Sequence, residues 1–276
     1  MISRKLIVLA FIIPLMISTL FAQVSISPTS AFLGNNQRFE TILIRNSSDE
    51  AQEVKLEFQF AYPKATEDGN IGLIYDDAEQ EKLHSATSWL RGFPKNFVLE
   101  PGGRQVVRVT AKAPRDIEPG MYWSRLVTTT SAVSPEIGAT DPSVISTQIT
   151  MQFRQITSIF YKTGNLSTGL DLTGIRPVVD EGQLKVFVDY TKSGNAPFLG
   201  TMTAEVLDAS GNPIVDRNMF VSIYFDGLRR INVDIANLSP GSYDLLVTVK
   251  SGRADIPDNK VVPAEEQTIR GSFTKI

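Results

Sequence analysis

The chain has 276 residues, with 27 Lys and Arg against 30 Asp and Glu, one histidine, no cysteine and a formal net charge of −3. That balance offers no basic footprint, which argues against nucleic acid or acidic lipid as a partner. Without cysteine there is no disulfide, thiolate nucleophile or thiolate metal ligand, and His84 is the only imidazole, so no enzyme, no cofactor and no metal site is expected.

Arg4 and Lys5 open the chain, Leu6 to Leu20 is apolar, and Leu20-Phe21-Ala22 suggests cleavage before Gln23. Residues 1–22 therefore read as a Sec-type signal peptide. Pro14 and the short apolar length argue against a permanent anchor, so no stable membrane insertion is expected after cleavage. An exported chain without cysteine points to a bacterial periplasmic or secreted protein.

Beyond the signal, strand-type alternation dominates. Phe39 to Arg45 runs into the polar turn Asn46-Ser47-Ser48-Asp49-Glu50, after which Val54, Leu56, Phe58 and Phe60 alternate with Lys55, Glu57 and Gln59. Glu67-Asp68-Gly69-Asn70 and Asp76-Asp77-Ala78-Glu79 lack the spacing of an EF-hand loop and read as solvated loops, as does Glu79 to Ser88, which holds His84. Gln105 to Ala113 then leads into Pro119-Gly120-Met121-Tyr122, and Trp123 to Thr128 leads out. After the mostly polar stretch from Ser131 to Ser143, Ile145, Thr147, Ile149, Met151 and Phe153 share one face of a strand, with Ser146, Gln148, Thr150 and Gln152 on the other.

The same unit then recurs. Leu184 to Tyr190, a Ser/Gly/Asn turn and Met202 to Leu207 precede Arg230 to Ile235, Pro240-Gly241-Ser242-Tyr243 and Asp244 to Val249. The prediction is an all-β chain of two tandem immunoglobulin-like antiparallel β-sandwiches, residues 23–162 and 163–276, hinged around Lys162 to Thr168. Tyr122 and Tyr243 are the structural corners: each ring should be largely buried, with its hydroxyl on upstream backbone.

Four stretches carry a family resemblance: Val24-Ser25-Ile26-Ser27-Pro28-Thr29, Ile42-Leu43-Ile44-Arg45-Asn46-Ser47, Phe97-Val98-Leu99-Glu100-Pro101-Gly102-Gly103-Arg104-Gln105-Val106-Val107-Arg108-Val109, and Tyr122-Trp123-Ser124-Arg125-Leu126. In this order they resemble the PapD-like periplasmic pilus chaperones over residues 24–162, with Ile156 to Lys162 similar to the end of the first domain's last strand. The resemblance implies a non-enzymatic chaperone-like or assembly protein whose first domain binds an exported protein subunit by β-strand addition. Ile145, Thr147, Ile149, Met151 and Phe153 are the candidate edge strand on that reading; the same row also fits the inner face of the sandwich's own last strand. The family's carboxylate-anchoring basic pair falls at Ser30 and Ile156, neither of them cationic. Arg154 and Lys162 lie an even number of residues from Ile156 and are the candidate basic contacts in its place.

A second resemblance leads elsewhere. Ala61 to Asp76, the following corner and the stretch Gly194-Asn195-Ala196-Pro197-Phe198-Leu199-Gly200 are similar to the peptidoglycan-binding region of WxL-type surface proteins. The alternative function is thus a cell-surface module that binds peptidoglycan, another glycan or a surface protein. Trp89 with Phe93, and Tyr62 with Tyr75, are aromatics for sugar stacking or for packing.

Overall fold

The computed structural model describes residues 24–133 and 151–276. The signal-peptide reading and the candidates Ile145, Thr147 and Ile149 lie outside the described residues.

The first half runs β1 (Val24–Ser27), β2 (Ser30–Gly34), β3 (Phe39–Asn46), β4 (Gln52–Gln59), β5 (Tyr62–Ala65), β6 (Ile71–Ile74), α1 (Ala78–His84), β7 (Leu90–Phe93), β8 (Asn96–Leu99), β9 (Arg104–Ala111), β10 (Gly120–Ala132) and β11 (Gln152–Thr163). Two sheets, ordered β1-β3-β9-β7 and β2-β11-β10-β4-β8, face each other. Their alternation sets the core: β4 buries Val54 and Leu56 while exposing Glu53 and Lys55, and across from them lie Ile42, Ile44, Val107 and Val109. The β5–β6 hairpin and α1 form an excursion between β4 and β7.

The second half repeats the plan with β12 (Thr168–Asp180), β13 (Gln183–Gly194), β14 (Phe198–Leu207), β15 (Pro213–Ile223), β16 (Gly227–Asp234), β17 (Gly241–Ser251) and β18 (Gln267–Lys275). Its sheets are β12-β13-β16 and β15-β14-β17-β18. All-β architecture in two tandem immunoglobulin-like sandwiches is what the duplicated alternation implied.

At each Pro-Gly corner the chain passes from one sheet to the other, from β9 to β10 and from β16 to β17. The Tyr122 hydroxyl donates to the Glu118 carbonyl at 3.1 Å and the Tyr243 hydroxyl to that of Ser239 at 2.8 Å. The rings are half-buried, not largely buried as expected. Each packs on the rim of its core, Tyr122 against Trp89 at 4.9 Å and Tyr243 against Phe273 at 5.6 Å.

The segment expected to act as a hinge is tied down. Phe32, Phe60, Tyr62, Met121, Trp123 and Phe160 of the first sandwich pack against Ala196, Leu199, Tyr224, Ile256 and Val262 of the second in one apolar cluster. Asn195 staples the connector: its Oδ1 accepts from Ser167 N at 2.9 Å, and its Nδ2 donates to the carbonyls of Pro119 at 2.9 Å and Asn165 at 3.0 Å. The close approach needs glycine at Gly194, whose φ is +83° and where a Cβ would stand 2.4 Å from the Ser167 carbonyl oxygen.

Candidate functional site

The first strand of the chain determines what β11 presents. β2 runs parallel to β11 from Ser30 opposite Ser158 to Gly34 opposite Lys162, and Ser158 N donates to Thr29 O at 3.0 Å. Before Thr29 the chain has crossed to the other sheet, where β1 pairs with β3. Residues Gln152 to Thr157 of β11 are therefore paired on one side only, with Ser131 to Leu126 of β10, and among the described residues no strand lies on their other side. Unpaired backbone donors and acceptors in such a row are a template for another strand.

The side chains change character along the same strand. Ile159 and Tyr161 belong to the core of the first sandwich and Thr157 is buried. Continuing on the same face, Phe153 is 43% exposed and Met151, just before the strand, 65%. Of the row read from the sequence, the described members Phe153 and Met151 are uncovered, while the same face of β11 is core from Thr157 onward. Inward-facing Thr128 and Gln155 stand opposite each other at this open end, and Thr128 Oγ1 and Gln155 Oε1 find no hydrogen-bond partner among the described residues.

The other face of β11 looks along the second sandwich. Arg154, Ile156, Ser158, Phe160 and Lys162 alternate onto it. Arg154 is exposed and reaches Gln59 Oε1 at 3.4 Å. Lys162 is committed to the domain junction: its Nζ lies 5.0 Å from the Phe32 ring centre and donates to the Lys260 carbonyl. Burial, with Lys260 nearby, lowers its pKa from the ordinary lysine value. Ser30 sits beside Ser158, two residues inward of Ile156.

The guanidinium buried at the junction of the two sandwiches is Arg125 of β10, a residue quoted in the motif but not assigned a role by sequence reasoning. It is 3% exposed. Its Nε donates to Ala61 O at 3.0 Å, Nη2 to Tyr224 Oη at 2.8 Å and Nη1 to Ser158 Oγ, with no carboxylate among these partners. The available signal was a charge in a central strand buried on both faces, where a cation persists only with fixed hydrogen-bond partners.

Several other readings are corrected. His84 is not a solvated loop residue; it ends α1, which Asp77 caps by accepting from Gln80 N at 3.1 Å, and its ring stacks on Trp123 at 4.9 Å. Burial, then the charge of Lys192, lowers its pKa. Tyr62 is buried in the inter-domain cluster and donates to Asp77 Oδ2 at 2.5 Å, which with burial pushes its pKa up to about 12. Trp89 packs on Tyr122 and Tyr161. Neither Tyr62 nor Trp89 is free to stack on a sugar, so neither proposed aromatic pair forms a platform. Asp68 is occupied within its own turn, with Thr66 and Asn70.

These features define a class: an all-β protein of two packed sandwiches, the first with a half-open strand edge. Solved structures of similar fold are pilus chaperones. The chain is 11% identical to a structure of the CsuC-CsuE chaperone-tip adhesion subunit pre-assembly complex from Acinetobacter baumannii, covering 90% of this chain and 98% of that one with a TM-score of 0.45. It is 14% identical to the Pseudomonas aeruginosa CupB2 chaperone, over 89% and 98% with a TM-score of 0.43. It is also 14% identical to a structure of the Salmonella enterica SafA pilin in complex with the SafB chaperone, over 93% and 98% with a TM-score of 0.41. The likeness, one of fold, spans both sandwiches, whereas the sequence resemblance was confined to the first. No family model matches the chain. No curated protein matches it either. Among the described residues no helix is long and apolar enough to cross a membrane.

Proposed function

We propose that this is an exported, non-enzymatic chaperone-like assembly protein that holds a partner polypeptide by strand addition along β11. The observation that carries the reading is the one-sided pairing of Gln152 to Thr157 together with the exposed row of Phe153 and Met151. Backbone groups of the free edge supply affinity, and the alternate apolar side chains enter slots in the partner. The partner is an incomplete exported subunit, as the pilin and tip-subunit complexes of the similar folds suggest. Arg154 stands along the same strand as a basic contact for it; Lys162 is held at the junction by Phe32 and Lys260.

The test is capture from the exporting compartment. Met151→Asp with Phe153→Asp should abolish co-purification of the partner while the thermal melt stays cooperative, because exposed substitutions change stability by only about 0.5 kcal/mol. Unfolding of the first sandwich in this variant, or undiminished capture, refutes strand addition here.

A further inference from the structure

The outward face of the β1-β3-β9-β7 sheet carries Arg45, Arg91, Arg104 and Arg108, all exposed. Interleaved with them are Phe39 (47% exposed), Leu43 (40%), Val106 (52%) and Phe93 (79%). The registers make these neighbours: Arg45 opposes Arg104, Leu43 opposes Val106, Thr41 and Phe93 flank Arg108, and Phe39 and Arg91 flank Thr110. Glu40 is the one acid in these four strands, and it alternates to the other face, 3.6 Å from Lys260. None of the four arginines is ion-paired among the described residues.

Arg45 directly across from Arg104 is an arrangement that a sheet does not favour, because like charges at opposed positions repel. No outward residue of these four strands is a carboxylate, so an anion from outside would relieve the repulsion. Four large apolar side chains amid the arginines add a requirement that a small ion does not meet.

We propose that this face docks on an anionic phospholipid surface. A bilayer suits it better than an acidic polypeptide. Protein interfaces seat their anchors in pockets, whereas these apolar groups stand out from a pleated sheet, as they do where side chains enter a headgroup layer. Arginine stems lie along apolar surface and carry the guanidinium to lipid phosphates. The net charge of −3 does not oppose this, because at physiological salt a charge interacts only within about 8 Å, so the local face governs. Composition argued against acidic lipid because it sums over charges that the fold segregates.

The experiment is co-sedimentation of the full chain with vesicles of phosphatidylglycerol mixed with phosphatidylcholine, and with phosphatidylcholine alone, all variants carrying the same N terminus. The protein should bind the anionic vesicles preferentially and leave them as salt rises. Arg45→Glu with Arg104→Glu should weaken binding at least about tenfold, since each basic residue contributes separately at such a surface. Phe93→Ser, at the far end of the face, should weaken it as well, with both melts unchanged. Arg217→Glu with Arg270→Glu makes the same change in charge on the second sandwich and should leave binding intact. Equal binding to both vesicle types, or equal losses from the two double variants, overturns the proposal. Binding of soluble polyglutamate without binding of anionic vesicles overturns it in favour of an acidic polypeptide.

Discussion

Each sandwich ends in a strand with an unpaired edge among the described residues, and the two edges carry opposite chemistry. β18 pairs only with β17, and its exposed residues are Thr268, Arg270, Ser272 and Thr274. That is how an edge is kept from capturing another strand, with charge and small polar groups in the exposed row. β11 is half covered by β2, and where it is bare its exposed residues include Phe153 and Ile156, with Met151 just before it. The first strands differ accordingly. β12 is one strand paired with β13 along its length, bulged between Leu172 and Gly174 where Ile175 lies against Gly271 of β18, while its counterpart is split at Pro28 and Thr29 into β1 on one sheet and β2 on the other. A protected edge and an inviting one on the same plan, in one chain, are the reason the proposed strand addition is assigned to the first sandwich.

The largest expected effect divides β11 from itself. Ile159→Asp puts a carboxylate into a fully buried position and should unfold the first sandwich, a loss of about 4 kcal/mol or more. Phe153→Asp on the same face, six residues or three repeats of the pleat away, should cost no more than about 0.5 kcal/mol. Denaturant melts of the two variants measure the contrast; equal losses would make β11 core throughout.

The junction comes next. Gly194→Ala should destabilise by about 1 to 3 kcal/mol, because the added methyl meets the Ser167 carbonyl and the positive φ disfavours any other residue. Asn195→Ala should cost about 0.5 to 1.5 kcal/mol, because its three partners are exposed and turn to water once the staple is lost. Loss of a single cooperative melt in favour of two would place both effects at the contact between sandwiches. A smaller change sharpens the comparison of edges: Arg270→Val with Ser272→Val removes the protection of β18 and should produce concentration-dependent self-association in sedimentation, with the monomer's melt nearly unaltered.

The strands and corners were legible because their signals are local: alternation over six residues fixes which face of β4 is inward, and Pro-Gly-x-Tyr marks a corner from four. α1 was missed because seven residues hold too little periodicity to read. The junction was unreadable for a different reason. Arg125 and Tyr224 meet across 99 positions of sequence, and nothing near either residue specifies the other. Likewise the row Ile145 to Phe153 could be read as apolar on one face, yet where core gives way to open edge depends on the sheet change at Thr29, a topological event far away in the chain.

The smallest effect concerns the contact that α1 makes with the second sandwich. His84 stacks on Trp123 and lies 5.7 Å from Phe225, with Lys192, itself near Asp226, as the cation that faces it. Its pKa in the folded protein is below the ordinary 6.5, chiefly from burial, so the unfolded chain binds a proton more readily. Stability must then rise with pH across the window between the folded value and 6.5, and fall as pH drops through it. Lys192 is held down to about 8 by burial, so the same sign recurs at higher pH, with stability rising between about 8 and 10.5. His84→Phe keeps the stacking and removes only the lower window. The difference in Tm between the parent and this variant should therefore narrow as pH rises from 5 to 7; a difference independent of pH would show that His84 acts at the junction by packing alone.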